Sequence, residues 1–339
     1  MKKVRIAVVG GGFMGALHAR TIAEADVAEL GAIVDLNEAL GKATAESFGT
    51  RWFKTVDDAL AANAAEAYVV ALPDKLHEAV TVQLLEAGKS VLVEKPMAHT
   101  LEAAQAMARA ERAGGGRLLV AHILRFDPRY VQAAEAVRAG MIGDPVHASS
   151  GRFSTRNIGE RMNGGSSVLF YLGVHDVDAL QWISGSNVQN VFSRRVSKLM
   201  PAAGVNSEDA IFTTVQMSNG LAGHLYAGWT LPLNTPTGIW ARTEIYGTEG
   251  MIDLDVRDHG LRIHSKGHTS LPDGLHWPEV NGIIMGDLAE EIRHFATATR
   301  DDKDFVMSVD EALRAVAVND AILRSVASGR PEDVTPWSI

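Results

Sequence analysis

Val4-Arg5-Ile6-Ala7-Val8-Val9-Gly10-Gly11-Gly12-Phe13-Met14-Gly15 holds an apolar run, a glycine-rich turn and the opening of a helical pattern over about Met14 to Ala25. A short, continuous apolar run of this kind reads as a strand buried on both faces. In the turn, Gly10 permits a sharp reversal, Gly12 lets a pyrophosphate approach the backbone, and Gly15 lets helix and strand pack closely. The helix N-terminus beside Phe13 and Met14 offers unfilled N–H groups and a partial positive charge to phosphates. Glycine-rich turns are common, so the pattern needs context: a strand before it, a helix after it, and an acidic residue closing the next strand. Asp35 meets the third condition, in Ala32-Ile33-Val34-Asp35-Leu36-Asn37. A carboxylate there accepts both hydroxyls of an adenosine ribose and repels a 2′-phosphate. No arginine follows it immediately, so NAD is expected ahead of NADP. The plainer alternative has Asp35 only capping the next helix.

Outward from this turn, apolar runs alternate with helical stretches over the first 122 residues. Leu30 to Val34, Ala67 to Leu72, Ser90 to Val93 and Leu118 to Ala121 read as strands, with helices over Glu38 to Phe48, Asp74 to Ala87 and Leu101 to Ala113. This is the pattern of a doubly wound parallel sheet, a Rossmann-type α/β domain. After about residue 145 strands follow one another directly: His147–Phe153, Val188–Val196, Ala210–Met217, Leu221–Thr230, Arg242–Tyr246, Met251–Asp255 and Leu261–His264. Turn residues such as Ser218-Asn219-Gly220 join them, so an open, mostly antiparallel sheet is expected in an α+β second domain. One helix, about Ser167 to Ile183, interrupts it, and two more close the chain near Asp287–Thr299 and Val309–Ser328. The division is therefore 1–122 for dinucleotide binding and 123–339 for a second domain, with a ligand expected between such domains.

Composition limits the partners. The chain has 339 residues, 46% apolar and 22% charged, with a formal charge of -9 and no cysteine. Disulfides, thiolate metal sites and cysteine nucleophiles are excluded. Lysines and arginines are scattered, without the basic stripe of a nucleic-acid binder. No run approaches the roughly 18 to 20 apolar residues of a membrane span. The opening Met1-Lys2-Lys3-Val4-Arg5-Ile6 enters a strand at once and fits no signal peptide, so the cytoplasm is expected.

Two further segments carry the chemistry: Val93-Glu94-Lys95-Pro96, at the carboxyl end of a strand where open α/β sheets place ligands, and the stretch Gly164 to Asp178, which contains Tyr171-Leu172-Gly173-Val174-His175. With the glycine turn and Asp35 they resemble the glucose–fructose oxidoreductase, inositol dehydrogenase and MocA family. Ala71-Leu72-Pro73-Asp74-Lys75-Leu76-His77, Leu124-Arg125-Phe126-Asp127-Pro128 and Glu244-Ile245-Tyr246-Gly247-Thr248-Glu249-Gly250 extend the resemblance over nearly the whole chain. The resemblance implies hydride transfer between NAD and a secondary hydroxyl or ketone of a sugar, inositol or related small polyhydroxylated molecule. It also implies a homodimer or homotetramer formed through the second-domain sheet. Leu72, Pro73, His77, Glu94 and Lys95 join the cofactor contacts, and Lys95 and His175 flank the reacting carbon.

The residue types suit that chemistry. Oxidising an alcohol needs a base for the hydroxyl proton, and histidine titrates near neutral pH. An ammonium nearby stabilises developing alkoxide. Many relatives carry an aspartate four residues before the histidine; here Tyr171 stands there. Either Tyr171 shares the proton transfer, or Asp176 or Asp178 substitutes, or the redox chemistry is altered or lost; the first is preferred. Arg125 and Asn157 are placed against substrate, with a structural ion pair as the alternative for Arg125. Residues 151–165, with Arg152, Arg156 and Arg161, read as a loop near the site, and Trp229 and Trp240 as core or lining. His122, His147, His175 and His224 match no compact ligand spacing, and no metal is expected. Alternatives to a dehydrogenase are a glycosidase or lyase with transient oxidation on bound NAD, and a non-catalytic NAD-binding regulator.

Overall fold

In the computed structural model, which describes residues 2–335, the run Val4–Val9 is strand β1 of a six-stranded parallel sheet. Ala28–Val34 (β2), Arg51–Phe53 (β3), Ala67–Val70 (β4), Ser90–Glu94 (β5) and Arg117–Ala121 (β6) complete it in the order β3-β2-β1-β4-β5-β6. Ile6, Val8, Ile33, Val69 and Leu92 are fully buried, as strands covered on both faces require. The connecting helices are Phe13–Glu24 (α1), Glu38–Ser47 (α2), Val56–Ala61 (α3), His77–Glu86 (α4) and Leu101–Arg112 (α5). Local chemistry sets their starts: Asn37 accepts from Leu40 N, Thr55 and Asp58 form a reciprocal capping box, and Thr100 accepts from Ala103 N. β3 and α3 were not expected. β3 is a three-residue edge strand, and α3 is six residues long, too short to show an apolar period.

The second unit opens with Pro128–Arg138 (α6), where Asp127 caps and Pro128 takes the first helical position. Pro145–Thr155 (β7), Arg156–Met162 (α7), a π-helical turn at Leu169–Gly173, and Val174–Ser184 (α8) follow. Val188–Val196 (β8), Leu199–Ala202 (α9), Ala210–Met217 (β9), Ala222–Leu231 (β10), Ile239–Gly247 (β11) and Met251–Asp255 (β12) come next. The sheet runs β12-β11-β7-β10-β9-β8, with Glu332–Asp333 at the far edge; β7 and β10 are parallel and the other pairs antiparallel. Along β9 Ile211, Thr213, Val215 and Met217 are buried while Phe212, Thr214 and Gln216 are exposed, the period of a sheet covered on one face. The expected loop over 151–165 is corrected: β7 continues to Thr155 and α7 fills 156–162. Its glycines mark close packing instead, since a Cβ at Gly151 would lie 2.2 Å from Tyr226 O and one at Gly159 2.7 Å from the Trp229 ring. The expected sheet strand at Leu261–His264 is also corrected. Ile263–Ser265 pairs with His268–Ser270 in a separate, polar two-stranded ribbon.

Residues 275–313 return to the first unit. There Asp287–Asp301 (α10) packs on α1 and β1, burying Leu288, Ile292 and Phe295 completely. The last helix, Val309–Ser328 (α11), begins in that unit and continues in the second from Arg314. Among the described residues the compact units are thus 2–126 with Leu275–Leu313, and Asp127–Gly274 with 314–335, rather than two segments divided at 122/123. The reason is the apolar stripe of α10, which the first sheet layer needs as cover.

Candidate active site

Because the first sheet is parallel, the residues that follow β1, β2, β4 and β5 share its carboxyl edge, and the strand order reverses between β1 and β4. That reversal is where such sheets bind ligands. Gly10 has φ +101°, and a Cβ there would stand 2.4 Å from Ala71 O; a Cβ at Gly15 would stand 1.8 Å from Gly10 O. Both positions need glycine for packing. A Cβ at Gly12 meets nothing within 4 Å, so the middle glycine faces open space. α1 starts there with no side-chain cap and no acid in its first turn. Phe13 is exposed and Met14 half-buried beside it. These features fit a dinucleotide pyrophosphate.

Asp35 Oδ2 accepts from Gly11 N and Oδ1 from Asn37 N, each at 2.7 Å, and Trp52 Nε1 donates to Asp35 O at 3.0 Å. The cap of α2 is Asn37, so the capping alternative for Asp35 fails. Gly11, Asn37 and Trp52 were not foreseen, because apolar periodicity carries no sign of which backbone N–H will orient a carboxylate.

At the next strand ends, Leu72 is half-buried and Pro73 exposed. His77 departs from its expected role as a cofactor contact. It is buried, with Nδ1 2.9 Å from Pro96 O and Nε2 2.8 Å from Leu72 O. Its ring is committed to the backbone after β4 and β5, and in the neutral form it donates to only one of the two carbonyls. Glu94 is likewise engaged within the chain. Oε1 lies 2.8 Å from His18 Nε2, and Oε2 accepts from Lys95 N at 3.1 Å. Burial raises the Glu94 carboxyl, but the His18 hydrogen bond and the charges of His18, Lys95 and His77 outweigh it and hold it below its ordinary value. Lys95 is half-buried, directly after β5. Arg125, read toward substrate, is instead buried, with Nη1 3.0 Å from Glu311 Oε1.

Glu291, on α10, has no counterpart in the sequence reading. It is 1% exposed, its Oε1 has no hydrogen-bond partner among the described residues, and burial, with Glu94 and Asp287 nearby, pushes its carboxyl well above the usual range. The folded chain therefore keeps a proton that the unfolded chain releases above about pH 4.5, so this group lowers stability progressively as pH rises through that window. Glu291→Gln is expected to raise the melting temperature at pH 8 more than at pH 5. An equal effect at both would contradict the protonated assignment.

In the second unit Tyr171 lies in the π turn and His175 is the second residue of α8, both half-buried. π turns recur at functional sites, and no sequence signal marks this one. Asp176 cannot substitute as the acid. It is buried and bonded to Arg152 Nε at 2.7 Å and Nη2 at 3.2 Å. That pair also removes Arg152 from the guanidinium groups available to a ligand. Asp178 is buried as well, 3% exposed. Asn157 is exposed on α7. Trp229 is fully buried with Nε1 bonded to Glu208 O, whereas Trp240 is exposed. His147 stacks on Tyr246 and His224 lies beside Thr214.

Residues 4–122 match the oxidoreductase family model with an NAD-binding Rossmann fold, and residues 130–253 match the GFO/IDH/MocA C-terminal domain. The chain is 32% identical to an inositol 2-dehydrogenase of Saccharopolyspora erythraea, over 98% of this chain and 96% of the relative. It is 25% identical to the NAD(+) scyllo-inositol 2-dehydrogenase of Bacillus subtilis, over 97% and 96%. Among solved structures, GenD2 from gentamicin A biosynthesis, in complex with NAD, superposes with a TM-score of 0.85 at 26% identity, over 99% of this chain and 97% of that one.

Proposed function

The chain belongs to the GFO/IDH/MocA oxidoreductase family, and from that premise we propose that it transfers a hydride between NAD and a secondary hydroxyl or ketone of an inositol, sugar or sugar derivative. The observation that carries the reading is the carboxyl edge of the first sheet, where an open glycine cradle and Asp35 stand in line with Lys95. NAD, when bound, supplies the hydride acceptor or donor. Gly10, Gly12, Gly15 and the N-terminus of α1 would hold its phosphates, Asp35 its ribose, and Leu72, Pro73 and the start of α1 the remaining contacts.

The chain's own part is to move and stabilise charge. His175 takes the hydroxyl proton in oxidation and returns it in reduction. Lys95 presents an ammonium to the developing alkoxide, worth most where water is excluded. Glu94 and His77 act behind Lys95: they fasten its main chain and that of Pro96, so the ammonium works from a fixed base. Tyr171 stands where many relatives have an aspartate and shares the proton transfer. The test is steady-state absorbance of reduced nicotinamide with a panel of inositols, aldoses and sugar acids. Net accumulation of NADH supports the dehydrogenase, whereas product without net NADH supports transient oxidation by a lyase or glycosidase, and neither supports the regulator.

The working form is proposed to be a cytoplasmic homodimer or homotetramer; no helix of the described residues is long and apolar enough to cross a membrane. The uncovered face of the second sheet supports assembly. There the Phe153 and Tyr226 rings stack at 5.3 Å, and Phe212, 6.3 Å from Tyr226, is 48% exposed. An exposed aromatic cluster of this kind marks an interface. Phe212→Asp is expected to shift the mass found by light scattering to a smaller species; an unchanged mass would place the interface elsewhere.

A further inference from the structure

α7 brings an arginine to the residue that replaces the usual acid. Arg161, exposed near the end of this helix, donates from Nη2 to the Tyr171 hydroxyl at 3.4 Å. The tyrosine ring rests on Trp229, with centroids 6.1 Å apart, and Trp229 is fixed by its Nε1 bond to Glu208 O at 2.6 Å. The Glu208 carboxylate is itself occupied, accepting from Ser167 Oγ and Val168 N at 2.7 Å each. It anchors the start of the π turn and is not spent on Arg161. Among the described residues no carboxylate forms an ion pair with Arg161, and the same holds for Arg156 at the start of this helix. This part of the second unit therefore presents a guanidinium that no described carboxylate pairs, next to a phenol whose ring packs on Trp229.

We propose that Arg161, beside Tyr171, receives a carboxylate of the substrate, so that the preferred substrate is a sugar acid rather than a neutral polyol. The inference rests on reading Tyr171 and His175 as substrate-facing. A guanidinium offers N–H groups in a planar fork that matches a carboxylate. A carboxylate at Tyr171 would repel the anionic substrate; the phenol does not.

The test compares kcat/KM for matched pairs, an aldonate or uronate against the corresponding polyol or aldose, at saturating NAD. The wild type is expected to favour the acid by about 10- to 100-fold. Arg161→Gln is expected to bring that ratio close to one, chiefly through KM of the acid, and Arg161→Lys to keep part of it. Added salt should weaken the acid's kcat/KM more than the neutral partner's. A wild type that prefers the neutral member, a ratio untouched by Arg161→Gln, or a sugar phosphate turned over better than the acid would overturn the inference alone. Failure of every member of the panel to reduce NAD would instead overturn the dehydrogenase reading on which it rests.

Discussion

Replacing Lys95 and His175 together by alanine should abolish measurable turnover while the chain still binds NAD. General acid–base assistance is worth roughly 100- to 10,000-fold, and loss of the ammonium removes electrostatic stabilisation besides. The two effects act on one proton transfer, so the double variant is expected to lose little more than the worse single variant. Fold damage is the competing explanation for any loss. Two supports of this segment do not depend on the replaced side chains: Glu94 bonds the main-chain N–H of residue 95, and His77 lies against the carbonyl of Pro96. Quenching of intrinsic fluorescence by NAD checks that the cofactor site survives. A double variant that retained the wild-type rate would remove both residues from the mechanism.

The second large effect is at Asp35. Its two oxygens are held 2.7 Å from Gly11 N and Asn37 N, a geometry that points the carboxylate along the edge beside the glycine turn. Hydrogen bonds to a charged group are worth about 1.5 to 3 kcal/mol, so Asp35→Ser should weaken NAD by roughly 10- to 100-fold. NADP gains from removal of a negative charge near its 2′-phosphate, and the selectivity between the two cofactors should collapse further than NAD affinity alone. Titration of both dinucleotides against wild type and variant measures this. Equal weakening of NAD and NADP would show that Asp35 supports the fold and not the ribose.

How far the sequence foretold these sites follows from what each signal measures. β1, the glycine turn and β2 were legible because a buried parallel strand and a tight turn each demand particular residue types. The alternating strands β9 and β10 were legible for the same reason. Residues 151–165 misled because glycine, arginine and asparagine signal a loop on composition alone, while Gly151 and Gly159 are small for the sake of Tyr226 and Trp229. Arg125 and Arg152 illustrate a second limit. A cation in the right segment looks the same whether a ligand or a buried acid awaits it, and here Glu311 and Asp176 take them. Glu291 could not be found at all, since an acid on an amphipathic helix reads as solvated until its neighbours are known. The π turn under Tyr171 is a backbone choice without a residue signature.

The decisive measurement is a crystal structure of the chain with NAD and a bound polyol or sugar acid. The Lys95 ammonium and the His175 imidazole are both expected within hydrogen-bond reach of one substrate oxygen, on the carbon that faces the nicotinamide ring. Either side chain pointing away from that carbon, with the ring bound in the glycine cradle as expected, would contradict that assignment.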